Sequence, residues 1–227
     1  MFINELNDYS EYFQLQENMK TLVDKSDNFN DKIEYVAGVD VAYNEESNTM
    51  IGAIVVLDYK SFEVIDSSYH IMEITFPYVP GLFSFREIPS IIHAYHKLSI
   101  KPDIIVCDGQ GIAHPKGVGM ATHLGINLQV PTIGCAKKRL YGEYTEQNIG
   151  NTKGDFEYLK SNDNVIGAVL RTKDNVKPMF VSIGHRVSLK SSIAIINYLT
   201  PRFRLPETTR KSDQLVNKLL KNFLEKN

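Results

Sequence analysis

Three β-rich runs joined by very short connections open the apolar pattern of this chain, at residues 33–43, 50–57 and 62–70. Connections of that length cannot hold a crossover, so the three runs must form an antiparallel meander. The rhythm then changes. Residues 85–98 put Phe85, Ile88, Ile92 and Tyr95 on one helical stripe, and 103–107 (DIIVC) is a short apolar run of the kind buried in a parallel sheet. A loop containing Gly109, Gly111, Gly117 and Gly119 follows, then a helix near 118–128 and another apolar strand at 131–135. Strand-like runs at 164–171 and 178–183 lead to helices near 189–199 and 207–225. Three meandering strands followed by helix-linked parallel strands describe an α/β chain with a mixed sheet flanked by helices.

That order is the order of an RNase H-like domain. At 227 residues and 43% hydrophobic side chains, the chain is sized for one such domain over 1–227. Tyr12, Leu15, Met19 and Leu22 predict an amphipathic helix over 9–25, and residues 143–163, rich in Asn, Asp, Lys and Glu, read as an exposed loop or insertion. Cys107 and Cys135 each sit in an apolar run, which predicts buried free thiols and a reducing, cytoplasmic setting. No apolar stretch approaches the roughly 20 residues of a membrane span, and Met1 to Glu5 lack the basic start and apolar middle of a signal peptide. The formal net charge of −2 is not that of a protein that coats nucleic acid. It is unevenly spread: residues 1–34 carry eight acids and three bases, and residues 201–227 seven bases and three acids. The basic C-terminal segment reads either as a local nucleic-acid surface or as an ordinary solvated helix face.

The informative residues are carboxylates in uncomfortable places. Asp40 lies between Val39 and Val41 in an apolar strand, where a charge needs a partner or a metal to offset its desolvation. Asp108 ends strand 103–107 just before the glycine loop, where open α/β sheets place their ligands. Alone, an acid at a strand end is better explained by capping or turn formation. Glu87, at the edge of the 85–98 stripe, and Asp213, three residues before Val216 on the last helix, read as two further inward-looking acids. A divalent cation explains all four together, because Mg²⁺ takes hard oxygen ligands from one or two carboxylates, water and phosphate. No Cys/His cluster competes as a zinc site.

The blocks VAGVDVAY at 36–43, TFPYVPGLFSFRE at 75–87, PDIIVCDGQGIAHP at 102–115 and PTIGCAKKRLYG at 131–142 resemble, in order and spacing, the signature blocks of the endonuclease V family. With Gly184-His185 and PETTR at 206–210, the resemblance runs from about Tyr35 to Asp213. It implies that Asp40 and Asp108 bind Mg²⁺, for which Mn²⁺ substitutes, that Glu87 is the active-site glutamate, and that Asp213 is a further acid of the site. It also implies that Lys137 stands near the cleaved phosphate, where it would stabilise developing negative charge; taken alone, Lys137 reads as a solvated cation. The implied substrate is DNA containing hypoxanthine or another deaminated purine, or inosine-containing RNA. Cleavage is expected at the second phosphodiester 3′ to the lesion, by a monomer.

In FPYVPG at 76–81, two prolines stiffen a short apolar loop. A rigid apolar wedge of this kind separates strands and fills the gap left by an extruded base. The resemblance makes Tyr78 its tip, with Pro77, Val79 and Pro80 around it, whereas the bland reading packs this turn into the core. Gly81, Gly109, Gly111 and Gly134 offer backbone groups that can approach a flipped base closely, and N–H and C=O groups distinguish hypoxanthine from adenine at O6 and N1. Phe83 replaces the leucine more usual in this loop of the family and bears on pocket shape. His114 reads either as a substrate contact or as a capping or core histidine, and His123 and His185 read as structural. Two other classes remain. A phosphotransferase of the actin and sugar-kinase type also begins with an Asp after Gly-Val, but Val41-Ala42-Tyr43 lacks the glycine and hydroxyl residues that cradle ATP. A binding module that recognises inosine without cutting is the other.

Overall fold

The computed structural model describes residues 9–30 and 32–225. The N-terminal pentapeptide weighed above as a signal sequence lies outside them. The chain runs through helix α1 (Ser10–Thr21), strands β1 (Tyr35–Asn44), β2 (Thr49–Asp58) and β3 (Val64–Glu73), then α2 (Phe83–Lys97), β4 (Ile104–Cys107), α3 (Met120–Leu128) and β5 (Thr132–Ala136). It continues with β6 (Phe156–Ser161), β7 (Asn164–Leu170), β8 (Met179–His185), α4 (Leu189–Tyr198) and α5 (Glu207–Leu224). All eight strands form one sheet in the order β3-β2-β1-β4-β5-β8-β7-β6.

β1, β2 and β3 are the expected antiparallel meander, and β1, β4 and β5 run parallel. Beyond β5 the sheet turns antiparallel again, because β8 pairs antiparallel with β5 and β7 with β8. The segments joining β6 to β7 and β7 to β8 are too short for a crossover, so those two pairs can only be antiparallel. The segment 143–163, expected to be a loop, contributes the edge strand β6 and a 3₁₀ turn at Glu146–Asn148. β6 alternates exposed and partly buried residues, with only Leu159 buried, so its composition is that of a surface segment.

Alternation along β1 divides the core between the two faces of the sheet. Ala37 and Val39 join Ile54, Val56, Ile88, Ile91 and Leu124 under α2 and α3. Val36 packs with Ile104, Val106 and the α4 residues Ile195 and Ile196, and Ala42 packs with Ala53 and Val216 of α5. Two glycines set how closely the helices lie. A Cβ on Gly38 would sit 2.2 Å from the Thr208 carbonyl oxygen, so α5 rests directly on β1, and one on Gly52 would sit 2.2 Å from Ser90 Oγ of α2. Both cysteines are buried and unpaired, and burial pushes both thiols up. Among the described residues no helix is long and apolar enough to cross a membrane.

α1 forms as expected, yet its inward face is displaced by one position. Leu15 and Leu22 are 47% and 60% exposed, while Gln16 is the buried residue of the helix. The face that packs is the one holding Tyr12, whose ring meets Phe76 at 4.8 Å and Phe85 at 5.3 Å, both edge-on.

Candidate active site

The parallel pairing of β1 with β4 ends at Val39 opposite Cys107, so the next residues, Asp40 (still paired with Ala53 of β2) and Asp108, stand side by side where β4 ends. Neighbouring strands lie about 4.8 Å apart, close enough for one cation to meet both carboxylates. Burial pushes the Asp40 carboxyl up to about 6, against a hydrogen bond from the Val41 N–H at 2.9 Å, and the charges of Asp108 and Asp213 push it the same way. Glu87, 7% exposed at the start of α2, is pushed by burial to about 7; the Tyr43 hydroxyl, which donates to it at 2.8 Å, opposes that shift, and Asp40 and Asp108 reinforce it. Lys137 Nζ donates to Asp108 Oδ2 at 2.5 Å. Burial works against its charge, but Asp108, Asp40 and Asp213 together hold its pKa above the ordinary lysine value.

Asp213 departs from expectation. It stands exposed on α5 rather than inward, although its charge reaches both Asp40 and Lys137. The inward stripe of α5 is held by Ser212 and Val216 instead. Among the described residues no three His, Cys, Asp or Glu side chains converge as a closed metal cage. The donor set nevertheless suits Mg²⁺: two adjacent aspartates of like charge, one with a raised pKa, supply hard oxygens, and the remaining positions belong to water and phosphate. Neutral or sulfur ligands, which would favour zinc, are absent from this donor set.

A pocket of about 790 Å³ opens beside the acids and brings together Tyr78, Pro80, Gly81, Phe83, Gly109 and His114 with Asp108 and Lys137. Its rim is built by a tight turn. The Leu82 N–H donates to the Val79 carbonyl at 2.9 Å, and Gly81 takes φ +86°, so Val79-Pro80-Gly81-Leu82 is a type II turn with proline and glycine in their favoured places. Phe76 anchors the root of this loop and is buried, while Tyr78 at its tip is 66% exposed with its ring against Phe83. The core-packed alternative for Tyr78 is thereby excluded. His114 accepts a hydrogen bond from the Lys116 N–H on Nδ1, and burial pulls its pKa down to about 4, so it presents a neutral imidazole to the pocket.

Pro77, Val79, Gly111 and Gly134 do not line this pocket. Gly111 and Gly134 serve packing beneath it: a Cβ on Gly111 would lie 1.9 Å from the Ile183 carbonyl oxygen, and one on Gly134 would lie 2.4 Å from the Gly111 nitrogen. His123 meets Ser84 Oγ through Nδ1 at 2.9 Å, and His185 Nδ1 accepts from the Asp24 N–H at 3.2 Å, both away from the acids. A second cavity of about 700 Å³ shares Arg139 and Leu140 with the first and holds none of the four acids discussed above.

Several supporting residues escaped the sequence reading. Arg204 donates through Nη2 to the Lys137 carbonyl at 2.9 Å, and Gln110 Nε2 donates to the Lys138 carbonyl at 3.1 Å, so two side chains pin the segment that aims Lys137. Tyr43 and the buried Arg86, whose guanidinium lies 4.6 Å above the Tyr43 ring, orient Glu87. Only Tyr43, closing the VAGVDVAY block two residues after Val41, carried a usable signal.

A stability consequence follows from Glu87. Its ionised form is disfavoured in the fold, so its destabilisation is absent below the unfolded carboxyl pKa of about 4.5 and complete above about 7. Glu87→Gln, which keeps an acceptor for Tyr43, should stabilise the protein in EDTA by about 1 to 3 kcal/mol at pH 8 and by little at pH 4.5. Urea unfolding at the two pH values measures this, and equal gains at both would contradict the burial argument.

A model of the family described as endonuclease V matches residues 17–214. An endonuclease V of Dictyoglomus thermophilum is 47% identical over 202 residues, covering 89% of this chain and 86% of that protein. The crystal structure of endonuclease V from Streptomyces avermitilis superposes with a TM-score of 0.90 at 38% identity, over 99% of this chain and 98% of that one. The Ciona intestinalis endonuclease V, solved in complex with a 24mer DNA containing an inosine followed by a ribo-adenosine, superposes at 0.83 with 25% identity over 94% and 98% of the two chains. By family match, identity over most of its length and shared architecture, the chain belongs to the endonuclease V family.

Proposed function

We propose that this protein, acting as a monomer of one domain over residues 1–227, is a Mg²⁺-dependent DNA repair endonuclease that flips out deaminated purines, hypoxanthine first. It cleaves the second phosphodiester 3′ to the lesion and leaves 3′-hydroxyl and 5′-phosphate ends. The observation that carries this reading is the single pocket wall running from the exposed Tyr78 past Gly81 and Gly109 to Asp108 and Lys137. Its volume of about 790 Å³ is within the range of pockets that enclose small ligands, and its lining includes Asp108.

Tyr78 fills the gap in the stack while the base enters the pocket, where backbone groups at Gly81 and Gly109 and the neutral His114 face its edge. Asp40 and Asp108 hold Mg²⁺, with Mn²⁺ as substitute, and the bound ion supplies Lewis-acid polarisation of the scissile phosphate and activation of water. Glu87, with a carboxyl pKa near 7, is suited to hold or release a proton at neutral pH. Lys137 places a permanent cation beside the phosphate. The ribo-adenosine of the Ciona complex favours one second reading, inosine-containing RNA as substrate.

The deciding assay uses end-labelled duplexes with and without one deoxyinosine, in Mg²⁺ and in EDTA, beside an inosine-containing RNA strand. A Mg²⁺-dependent nick one nucleotide beyond the inosine is expected, and the RNA lane ranks the two substrates. No cut in any lane would replace catalysis with inosine binding alone.

A further inference from the structure

Gln16 is fully buried on an otherwise half-exposed helix. Its Nε2 donates to two backbone carbonyls, those of Gly81 and Val118, each at 2.9 Å. Both carbonyls belong to residues lining the pocket described above, one in the type II turn behind Tyr78 and the other in the segment after His114. They are 37 residues apart in the chain (118 − 81), and the amide joins them directly. Among the described residues, the Oε1 of the same amide is buried without a partner. Such an acceptor is unfavourable, and an apolar side chain would remove the penalty if packing alone decided the position. α1 follows the same two segments elsewhere: a Cβ on Gly81 would lie 3.7 Å from the Phe13 ring, and Lys116 Nζ stands 5.9 Å above that ring.

We propose that Gln16 is a positioning residue that sets the spacing of the base pocket by tying the wedge turn at Gly81 to the wall at Val118. This rests on the proposed function. Discrimination through backbone groups requires those groups to stay within about 0.5 Å of their working positions. Gly81 lies in the turn behind Tyr78, and among the described residues the two bonds from Gln16 are the side-chain hydrogen bonds that tie Gly81 to Val118. Without them the wedge still reaches DNA, but hypoxanthine and adenine are read by groups at variable distance.

The test measures dissociation constants of the full chain in EDTA for a duplex carrying one deoxyinosine and for the same duplex with deoxyadenosine. Acid–phosphate repulsion affects both duplexes alike, so their ratio isolates the base. Gln16→Met keeps the shape and removes both donors; it should lower the inosine preference by at least about tenfold while changing affinity for the adenine duplex less than about twofold. Gln16→Asn, with an amide too short to span both carbonyls, should lower it at least about threefold. A folded variant with the wild-type ratio, or one losing affinity for both duplexes equally, would overturn the proposal. Loss of folding in both variants would also overturn it, making Gln16 a stability residue. Absence of any inosine preference in the wild type would instead overturn the functional reading.

Discussion

Asp108→Asn should lower turnover on inosine-containing DNA by on the order of a thousandfold or more and should leave the thermal midpoint of the metal-free protein within a few degrees. Asp40→Asn should do the same. The reasons lie in the register. Val39 opposite Cys107 is the last parallel pair, so the two carboxylates emerge together, and neither can be replaced by a neighbour along its own strand. Stability is little affected because the Asp108–Lys137 pair is partly exposed, with side chains 24% and 45% accessible, and such pairs contribute about 1 kcal/mol or less. The amide also relieves the crowding of like charge that raises Asp40. If Asp108 acted only by orienting Lys137, Lys137→Met would be as harmful and the double variant no worse than either single one. A smaller loss for Lys137→Met, with a further loss on combining the two, is the expected pattern. Turnover within threefold of wild type for either Asn variant would remove the metal assignment.

How far the sequence foretold this site depends on what each residue does. Asp40 and Asp108 were legible because a charge in an apolar run and an acid at a parallel strand end are both anomalies of pattern. Tyr78 was legible because prolines three apart, at 77 and 80, rule out helix and sheet interior. Asp213 was placed by its spacing of three from Val216, but the buried line of α5 runs through Thr209, Ser212 and Val216, which leaves Asp213 one position beside it and exposed. Gln16 and β6 were missed for opposite reasons. A buried glutamine is invisible to a hydrophobic stripe, and an edge strand whose aromatics Phe156 and Tyr158 face solvent looks like a loop. Arg204 and Gln110 act through backbone carbonyls about thirty residues or more away in sequence, a relation no local pattern encodes. What escaped, then, is the layer that holds the reacting groups in place, since its contacts are made by the tertiary structure.

Gly38→Ala tests that layer where α5 rests on β1. The added methyl carbon would stand 2.2 Å from the Thr208 carbonyl oxygen and 2.3 Å from its carbon, both backbone atoms of the first turn of α5. No rotamer change relieves such a contact, so either β1 bends or α5 lifts. Overpacking of this kind costs about 1 to 3 kcal/mol, and for a chain of this size each kcal/mol moves the melting midpoint by about 2 to 4 °C. A fall of about 5 to 10 °C is therefore expected. Lifting α5 also carries Asp213 away from Asp40, whose raised carboxyl pKa depends in part on that charge. Activity should then fall further than stability explains, by about tenfold or more in protein that is still fully folded at the assay temperature. Differential scanning calorimetry and single-turnover cleavage on the same preparation separate the two effects. A midpoint within 2 °C of wild type would mean that β1 and α5 are not held as closely as the Gly38 contact requires, and with it would go the account of how α5 brings its acid to the site.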